Sequence, residues 1–179
     1  MPYGMSPCAR AALELDLLAM RTLPTTRERL SVREWTPADD AFVAKLAEEA
    51  FGEYGSQSAR YMLSVTHRAS ARTWVALEAG VPIGLLVLEL TARDGAVLAV
   101  AVAARARARG VGGRLMQVAE SYAAARGALR LTLFTADSNL AALDLFLRRG
   151  FRIVGRRQRF YSRQQDACKL EKTLGESQP

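Results

Sequence analysis

A short stretch near the middle of the chain combines glycine and arginine in a pattern that can bind an anion. Its glycines are Gly110, Gly112 and Gly113, and its arginines are Arg105, Arg107, Arg109 and Arg114. An apolar strand pattern ends just before it, and a helical pattern begins at Val111. The first turn of a helix has N–H groups without intrahelical acceptors, and glycine allows an anion to approach the backbone. The stretch therefore predicts a phosphate-binding loop.

Two common glycine-rich phosphate loops do not fit this pattern. A Walker A loop ends in Gly-Lys followed by Ser or Thr, and no such run occurs in the chain. A Rossmann loop follows the first strand of its domain, whereas here three strands and two helices are predicted before the glycines. The loop must belong to another class.

Two motifs resemble those of the GNAT N-acetyltransferase superfamily. "RARGVG", residues 107–112, is similar to its Arg/Gln-x-x-Gly-x-Gly/Ala acyl-CoA loop. "NLAALDLFLRRGF", residues 139–151, is similar to its second motif, Asn-x-x-Ala-x-x-x-Tyr-x-x-x-Gly-Phe, except that Phe146 stands at the tyrosine position. The resemblance extends over residues 29–174, and it implies acetyl-CoA as co-substrate and a primary amine, in a small molecule or peptide, as acceptor.

The resemblance also implies which residues bind acetyl-CoA. The strand that leads into the loop would pair its backbone with the pantetheine arm, through Val100, Ala101 and Val102. Backbone amides would hold the pyrophosphate, with Arg107 at its edge; these amides belong to Ala108, Arg109, Gly110, Val111, Gly112, Gly113 and Arg114. Asn139 would contact the pantetheine, or it is an ordinary helix N-cap. The Phe146 ring would pack against the thioester.

Acetyl transfer to an amine requires that the amine lose a proton, that the oxyanion be stabilised, and that the departing thiolate be tolerated or reprotonated. Phe146 cannot donate a proton, and Phe134 stands where some relatives carry a glutamate. A CoA thiolate is stable enough to leave without an acid. Alternatively Tyr161, predicted on the penultimate strand, acts as the acid, or the protein binds acyl-CoA without efficient catalysis.

Few acidic residues are candidates for a general base. Glu89 interrupts the apolar run "LLVLEL", so it is either exposed at a sheet face or placed in the cleft. Glu53 and Tyr54 fall where relatives shape the acceptor opening. His67 is predicted to be a surface helix residue without a catalytic role.

The order of elements needed to position these residues is β-α-α-β-β-β-α-β-α-β-β. It predicts a mixed α/β (α+β) domain with a single central, mostly antiparallel sheet flanked by helices. Thr36 and Pro37 predict the start of a long helix, and Leu129, Leu131 and Leu133 are predicted to share one face of a strand. Residues 1–28 are predicted to form an extension with a short helix, and residues 29–175 the acetyltransferase domain.

Composition narrows the function classes. The chain has 179 residues and a formal net charge of +7, which favours anionic ligands. The chain has only two cysteines, Cys8 and Cys168, and a single histidine, so the sequence predicts no metal site. The two isolated cysteines also predict a reducing, cytoplasmic location. No stretch is apolar enough to span a membrane.

A nucleic-acid-binding module is a lower-ranked alternative function, because no known recognition motif accompanies the arginines. The N-terminal segment offers a contact for a homodimer.

Overall fold

A computed structural model describes residues 30–55 and 58–175 of the chain. Its strands are β1 (Leu30–Glu34), β2 (Ala71–Glu78), β3 (Val81–Leu90), β4 (Asp94–Val102), β5 (Arg130–Ala136), β6 (Arg152–Arg157) and β7 (Ala167–Thr173). Its α-helices are α1 (Asp40–Phe51), α2 (Ser58–Thr66), α3 (Val111–Ala125) and α4 (Leu140–Arg148), with 3-10 turns at Pro37–Asp39 and Ala104–Ala106. The predicted N-terminal helix and Cys8 lie outside the described residues.

The predicted order of elements and the mostly antiparallel sheet are confirmed. The seven strands have the order β1-β2-β3-β4-β5-β7-β6, and only the β4–β5 pair among them is parallel. Two details of the prediction were wrong. Tyr161 lies in the β6–β7 connection because β6 ends at Arg157, and Leu129 precedes β5 and is 52% exposed.

The parallel β4–β5 pair separates part of the way along its length. The register joins only Asp94–Val97 of β4 to Arg130–Leu133 of β5. Leu98 is an extra residue in β4, because Val87 and Leu88 of β3 face Ala99 and Val97. A bulge bends its strand and increases the local twist, which directs the last part of β4 away from β5. The sheet therefore opens into a cleft between two splayed strand ends.

Each face of the sheet carries its own apolar core. α3 packs on one face through Leu115, Met116 and Ala119, together with Leu86 and Leu131. α1 and α2 pack on the other face; this core includes Val43, Leu46, Val65, Leu85 and Val87. The sheet is therefore covered by apolar packing on both faces, and the gap between β4 and β5 comes from the strand register.

Candidate functional site

The glycine-rich loop connects β4 to α3 with its backbone turned into the left-handed region twice. Ala108 has φ 57° and Gly110 has φ 83°. The first hydrogen bond into α3 runs from Arg114 N to Gly110 O, at 3.0 Å. The N–H groups of Val111, Gly112 and Gly113 therefore have no intrahelical acceptor and lie at the positive end of the helix dipole.

Three arginines of the loop are held by contacts within the chain. Arg107 Nε donates to Val102 O at 3.1 Å. The Arg109 guanidinium forms an ion pair with Glu78 at the end of β2, and Arg114 donates to Gln117 Oε1 at 2.8 Å. The backbone at the start of α3 is thus the part of the loop left open to a ligand.

The glycines at the start of α3 differ in the space around them. A Cβ on Gly112 would lie 3.1 Å from Leu145 Cδ2 of α4, so this glycine allows the two helices to approach closely. A Cβ on Gly113 would meet nothing nearer than Arg149, at 4.0 Å. Gly113 is therefore a position where substitution can alter the amide without disturbing the packing.

The end of β4 presents unpaired backbone groups to the cleft. Ala103 N donates to Ile83 O at 2.8 Å, and neighbouring residues of a strand direct their N–H and C=O groups to alternate sides. Val100 and Val102 therefore direct theirs away from β3, where β5 no longer pairs. Arg107 occupies the Val102 carbonyl, which leaves Val100 and the Val102 N–H for the predicted pantetheine contact.

Asn139 and Phe146 lie on α4, across the cleft from β4. Asn139 is the N-cap of α4, and its Oδ1 accepts from Ala142 N at 3.1 Å. The capping alternative is therefore present in the structure, and the Asn139 side chain also hydrogen-bonds with the Tyr54 hydroxyl, which acts to lower the pKa of Tyr54 against the larger effect of burial. Phe146 is 6% exposed and its ring centroid lies 5.9 Å from that of Phe151.

Four aromatic rings form a continuous aromatic cluster, which consists of Tyr54, Tyr161, Phe160 and Phe134. The Tyr54 and Tyr161 centroids are 4.9 Å apart, those of Tyr161 and Phe160 are 5.0 Å apart, and Phe160 stacks on Phe134 at 4.8 Å. Phe134 is the first residue of β5 beyond the last pair with β4. The aromatic cluster therefore leads from the end of α1 to the point where the cleft opens.

Burial makes both tyrosines of the aromatic cluster weaker acids. Burial is the largest cause that raises the pKa of Tyr54 to about 12, and the nearby Glu53 carboxylate adds to it. Burial likewise raises the pKa of Tyr161 to about 12, with a smaller contribution from Cys168. A tyrosine of ordinary pKa, about 10, is already neutral at physiological pH, so the raised pKa makes both hydroxyls poorer acids without changing their charge there.

Two side chains of the β6–β7 connection fix it against the end of α1. Ser162 Oγ donates to Tyr54 O at 2.8 Å, and Gln165 Nε2 donates to Glu53 O at 2.8 Å. A Cβ on Gly55 would lie 2.7 Å from Ser162 Oγ, so the two loops approach closely at this glycine. These contacts place Tyr161 beside Tyr54.

Glu89 and His67 have their partners elsewhere. Ser70 Oγ donates to Glu89 Oε1 at 2.6 Å, and Arg68 lies 3.9 Å from the same oxygen. These partners belong to the α2–β2 turn, so the structure does not bring Glu89 into the aromatic cluster. His67 is exposed, as predicted, but it lies in the turn after α2 and not on the helix, and it pairs with Asp40 Oδ2 at 2.9 Å.

Sequence reasoning missed Phe160 and Arg157 as site residues. Arg157 lies over the Phe134 ring, with 4.7 Å between its guanidinium carbon and the ring centroid. Within the run "GRRQRFY", residues 155–161, only Tyr161 was singled out from the sequence, because no motif or spacing distinguishes Arg157 or Phe160. Among the described residues, no helix is long and apolar enough to cross a membrane, and no group of His, Cys, Asp and Glu side chains is arranged to hold a metal ion.

Comparison with known proteins agrees with this architecture. Residues 29–151 match the model of the Acetyltransferase (GNAT) family. A mixed sheet that splits beside a glycine-rich helix start defines the class, and the chain belongs to the GNAT acetyltransferase family. No curated protein matches the chain.

Solved structures show the same fold. Ard1 from Thermoplasma volcanium is 26% identical, with a TM-score of 0.73 over 83% of this chain and 99% of that one. The ribosomal-protein-S18-alanine N-acetyltransferase from Escherichia coli is 16% identical, with a TM-score of 0.74 over 83% and 96%. A GNAT family acetyltransferase from Elizabethkingia anophelis with acetyl-CoA bound is 21% identical, with a TM-score of 0.66 over 82% and 99%.

Proposed function

We propose that the protein transfers the acetyl group of acetyl-CoA to a primary amine by direct attack. The single observation that carries the proposal is the start of α3, where the N–H groups of Val111, Gly112 and Gly113 lack intrahelical acceptors beside an open strand edge. Acetyl-CoA would supply an acetyl thioester: the acetyl–nitrogen bond forms, the carbon–sulfur bond breaks with its electron pair on sulfur, and the amine proton passes to solvent.

The residues present fit acetyl-CoA along the whole cleft. The α3 amides suit a pyrophosphate, because a helix start favours anions. The unpaired backbone of Val100 suits the amide groups of pantetheine, which would add to β4 as an extra strand partner. The extra residue of a bulge is left unpaired, so the Leu98 N–H is available to hydrogen-bond a carbonyl oxygen where charge develops.

The aromatic cluster supports an acceptor site on the other side of the cleft. Tyr54 and Tyr161 would orient the amine with neutral hydroxyls. A phenol with a pKa of about 12 is a weaker acid than a thiol, whose pKa is near 8.5. Tyr161 would therefore donate a hydrogen bond to the leaving sulfur and keep its proton, which agrees with a thiolate that leaves without a general acid.

The open N–H groups of Val111, Gly112 and Gly113, here called the α3 cradle, are tested as a pyrophosphate site with a matched pair of variants at Gly113. Gly113→Pro removes one N–H from the first helical turn, where proline is tolerated, and the preceding Gly112 has no Cβ to clash with the new ring. Gly113→Ala keeps the N–H and has room for its Cβ. Calorimetric titration with acetyl-CoA should show Kd about tenfold or more higher for Gly113→Pro, as expected for one lost hydrogen bond to a charged group, and near wild type for Gly113→Ala.

Circular dichroism of both variants checks that α3 remains folded. Equal affinity in the two folded variants would contradict the cradle.

A second candidate function is acyl-CoA binding with little catalysis. It is favoured by Phe146, which occupies the tyrosine position of the motif and is buried against Phe151. Release of free CoA thiol with any amine in a panel would rule out that candidate.

A further inference from the structure

One end of the aromatic cluster carries a positive charge that the acetyl-transfer chemistry does not require. Phe134, Lys169 and Gly155 form one row across β5, β7 and β6. Two residues further along, Ala136, Ala167 and Arg157 form the next row. Side chains two residues apart on a strand share a face, so Arg157 rises from the same face as Phe134.

The guanidinium of Arg157 is fixed in position by two aromatic rings. It lies 4.7 Å from the Phe134 centroid and 5.8 Å from the Phe160 centroid, and stacking on an aromatic face leaves the N–H edge of arginine free. Gly155 contributes no side chain to the neighbouring row, and a Cβ there would have no atom within 4 Å. Open space therefore borders the held cation.

Arg157 is also free of carboxylate partners in the described part of the chain. Neighbouring cations are engaged: Arg156 faces Asp137 at 3.9 Å, and Lys169 binds Glu171 at 2.5 Å. Asp166, the remaining nearby acid of the connection, accepts from Arg159 N at 2.8 Å. An exposed guanidinium held on aromatic rings without a counter-charge is suited to bind a carboxylate through its paired N–H groups.

Building on the proposed function, we propose that Arg157 recognises a carboxylate on the acceptor, so the substrates are primary amines that carry a carboxylate close to an apolar group. Phe134 marks the opening of the cleft, and the guanidinium is one ring away from it. A carboxylate bound there would place an amine only a few bonds distant beside the split strands. The exposed Phe160 ring would cover the apolar group of the acceptor.

The test compares amines that differ only in the carboxylate. L-Phenylalanine, its neutral amide and 2-phenylethylamine share one ring and one amine, and the dipeptide Phe-Asp with an amidated C-terminus moves the carboxylate to a side chain. Steady-state kinetics at saturating acetyl-CoA are measured on the full chain, on Arg157→Gln, and on the control Arg163→Gln, which changes an exposed arginine of the adjoining β6–β7 connection.

We expect L-phenylalanine or the Phe-Asp amide to be preferred over the two neutral amines, and the better of the two shows whether the carboxylate is an α-carboxylate or a side-chain group. Arg157→Gln should raise KM for that acceptor roughly tenfold or more, because a hydrogen-bonded charge pair is lost, and leave KM for 2-phenylethylamine unchanged. Arg163→Gln should behave as wild type, and Arg157→Lys should restore part of the affinity because it keeps the charge.

The outcomes separate this inference from the proposed function. Equal use of neutral and carboxylate-bearing amines, with no effect of Arg157→Gln, would overturn the role of Arg157 while acetyl transfer stands. If no amine is acetylated, the proposed function fails. Calorimetric binding of L-phenylalanine and of the Phe-Asp amide in the presence of CoA then decides the inference: weaker binding of either ligand to Arg157→Gln supports it, and unchanged binding of both contradicts it.

Discussion

At the scale of single residues, the environment of a side chain determines which chemistry it can perform. Tyr161 was expected to be a proton donor on a strand, but it is half-buried in a connection, beside Tyr54. Desolvation disfavours the phenolate, so burial strengthens the hydroxyl as a lasting hydrogen-bond donor and weakens it as an acid. Phe146, at the position where relatives carry tyrosine, contributes packing and no proton.

The raised pKa values of Tyr54 and Tyr161 predict the pH at which these two side chains ionise. Because both pKa values are raised to about 12, neither hydroxyl should ionise between pH 7 and roughly 10, the ordinary tyrosine pKa. In a titration followed by tyrosinate absorbance, Tyr54 and Tyr161 should therefore be missing from the step near pH 10 and should ionise only at higher pH. Tyr161→Phe should remove only the late-titrating signal, and loss of signal near pH 10 instead would contradict the burial argument.

At the scale of elements, an ion pair joins β1 to the start of α1. Asp39 is 4% exposed, and both its carboxylate oxygens accept from Arg33, at 2.7 and 2.8 Å. The same carboxylate accepts from the Thr36 N–H at 2.8 Å. The hydrogen bond from Arg33 is the largest of the effects that lower the pKa of Asp39 to about 2, against the opposing effect of burial.

This ion pair predicts acid-dependent stability. A carboxyl whose folded pKa lies below its unfolded value stabilises the fold above about pH 4, and the contribution is lost as the pH falls towards 2. Asp39→Asn should cost about 2 kcal/mol of unfolding free energy at pH 7, measured by urea denaturation, with a smaller difference near pH 2. Asp144→Asn, which removes an exposed pair with Arg148, should change it by less than about 0.5 kcal/mol. A difference for Asp39→Asn that stays constant with pH would contradict this assignment.

The sequence predicted where helices and strands lie better than it predicted which distant residues contact one another. Thr36, Pro37 and Gly110 mark helix starts through nearby residues, so these starts are visible in the sequence. The Glu78–Arg109 pair and the contact of Ser162 with Tyr54 O join residues far apart in sequence, and no periodicity encodes such pairing. The bulge at Leu98 is also hidden, because it depends on the register with β3.

At the scale of the whole molecule, a three-membered charge network joins elements that flank the cleft. Glu120 of α3 accepts from Arg149, which follows α4, at 2.8 and 2.9 Å, and from Lys172 of β7 at 2.9 Å. Burial acts to raise the pKa of Glu120, but the hydrogen bonds from Arg149 and Lys172 outweigh it and hold the pKa below the usual value of a glutamate. The network joins α3, whose first turn has the open N–H groups, to the end of α4, the helix that Asn139 caps.

Glu120→Gln should therefore affect both stability and ligand binding. Removing the carboxylate leaves two partly buried cations facing each other, so we expect a loss of about 3 kcal/mol of unfolding free energy. The wild-type contribution should be complete above about pH 4.5 and decline as the pH falls further. Because α3 and α4 are then less firmly held, calorimetry should also show weaker acetyl-CoA binding, whereas the exposed-pair control Asp144→Asn should alter neither. Unchanged stability with weaker binding would place Glu120 in the ligand site, and unchanged values of both would show that apolar packing alone fixes the two helices.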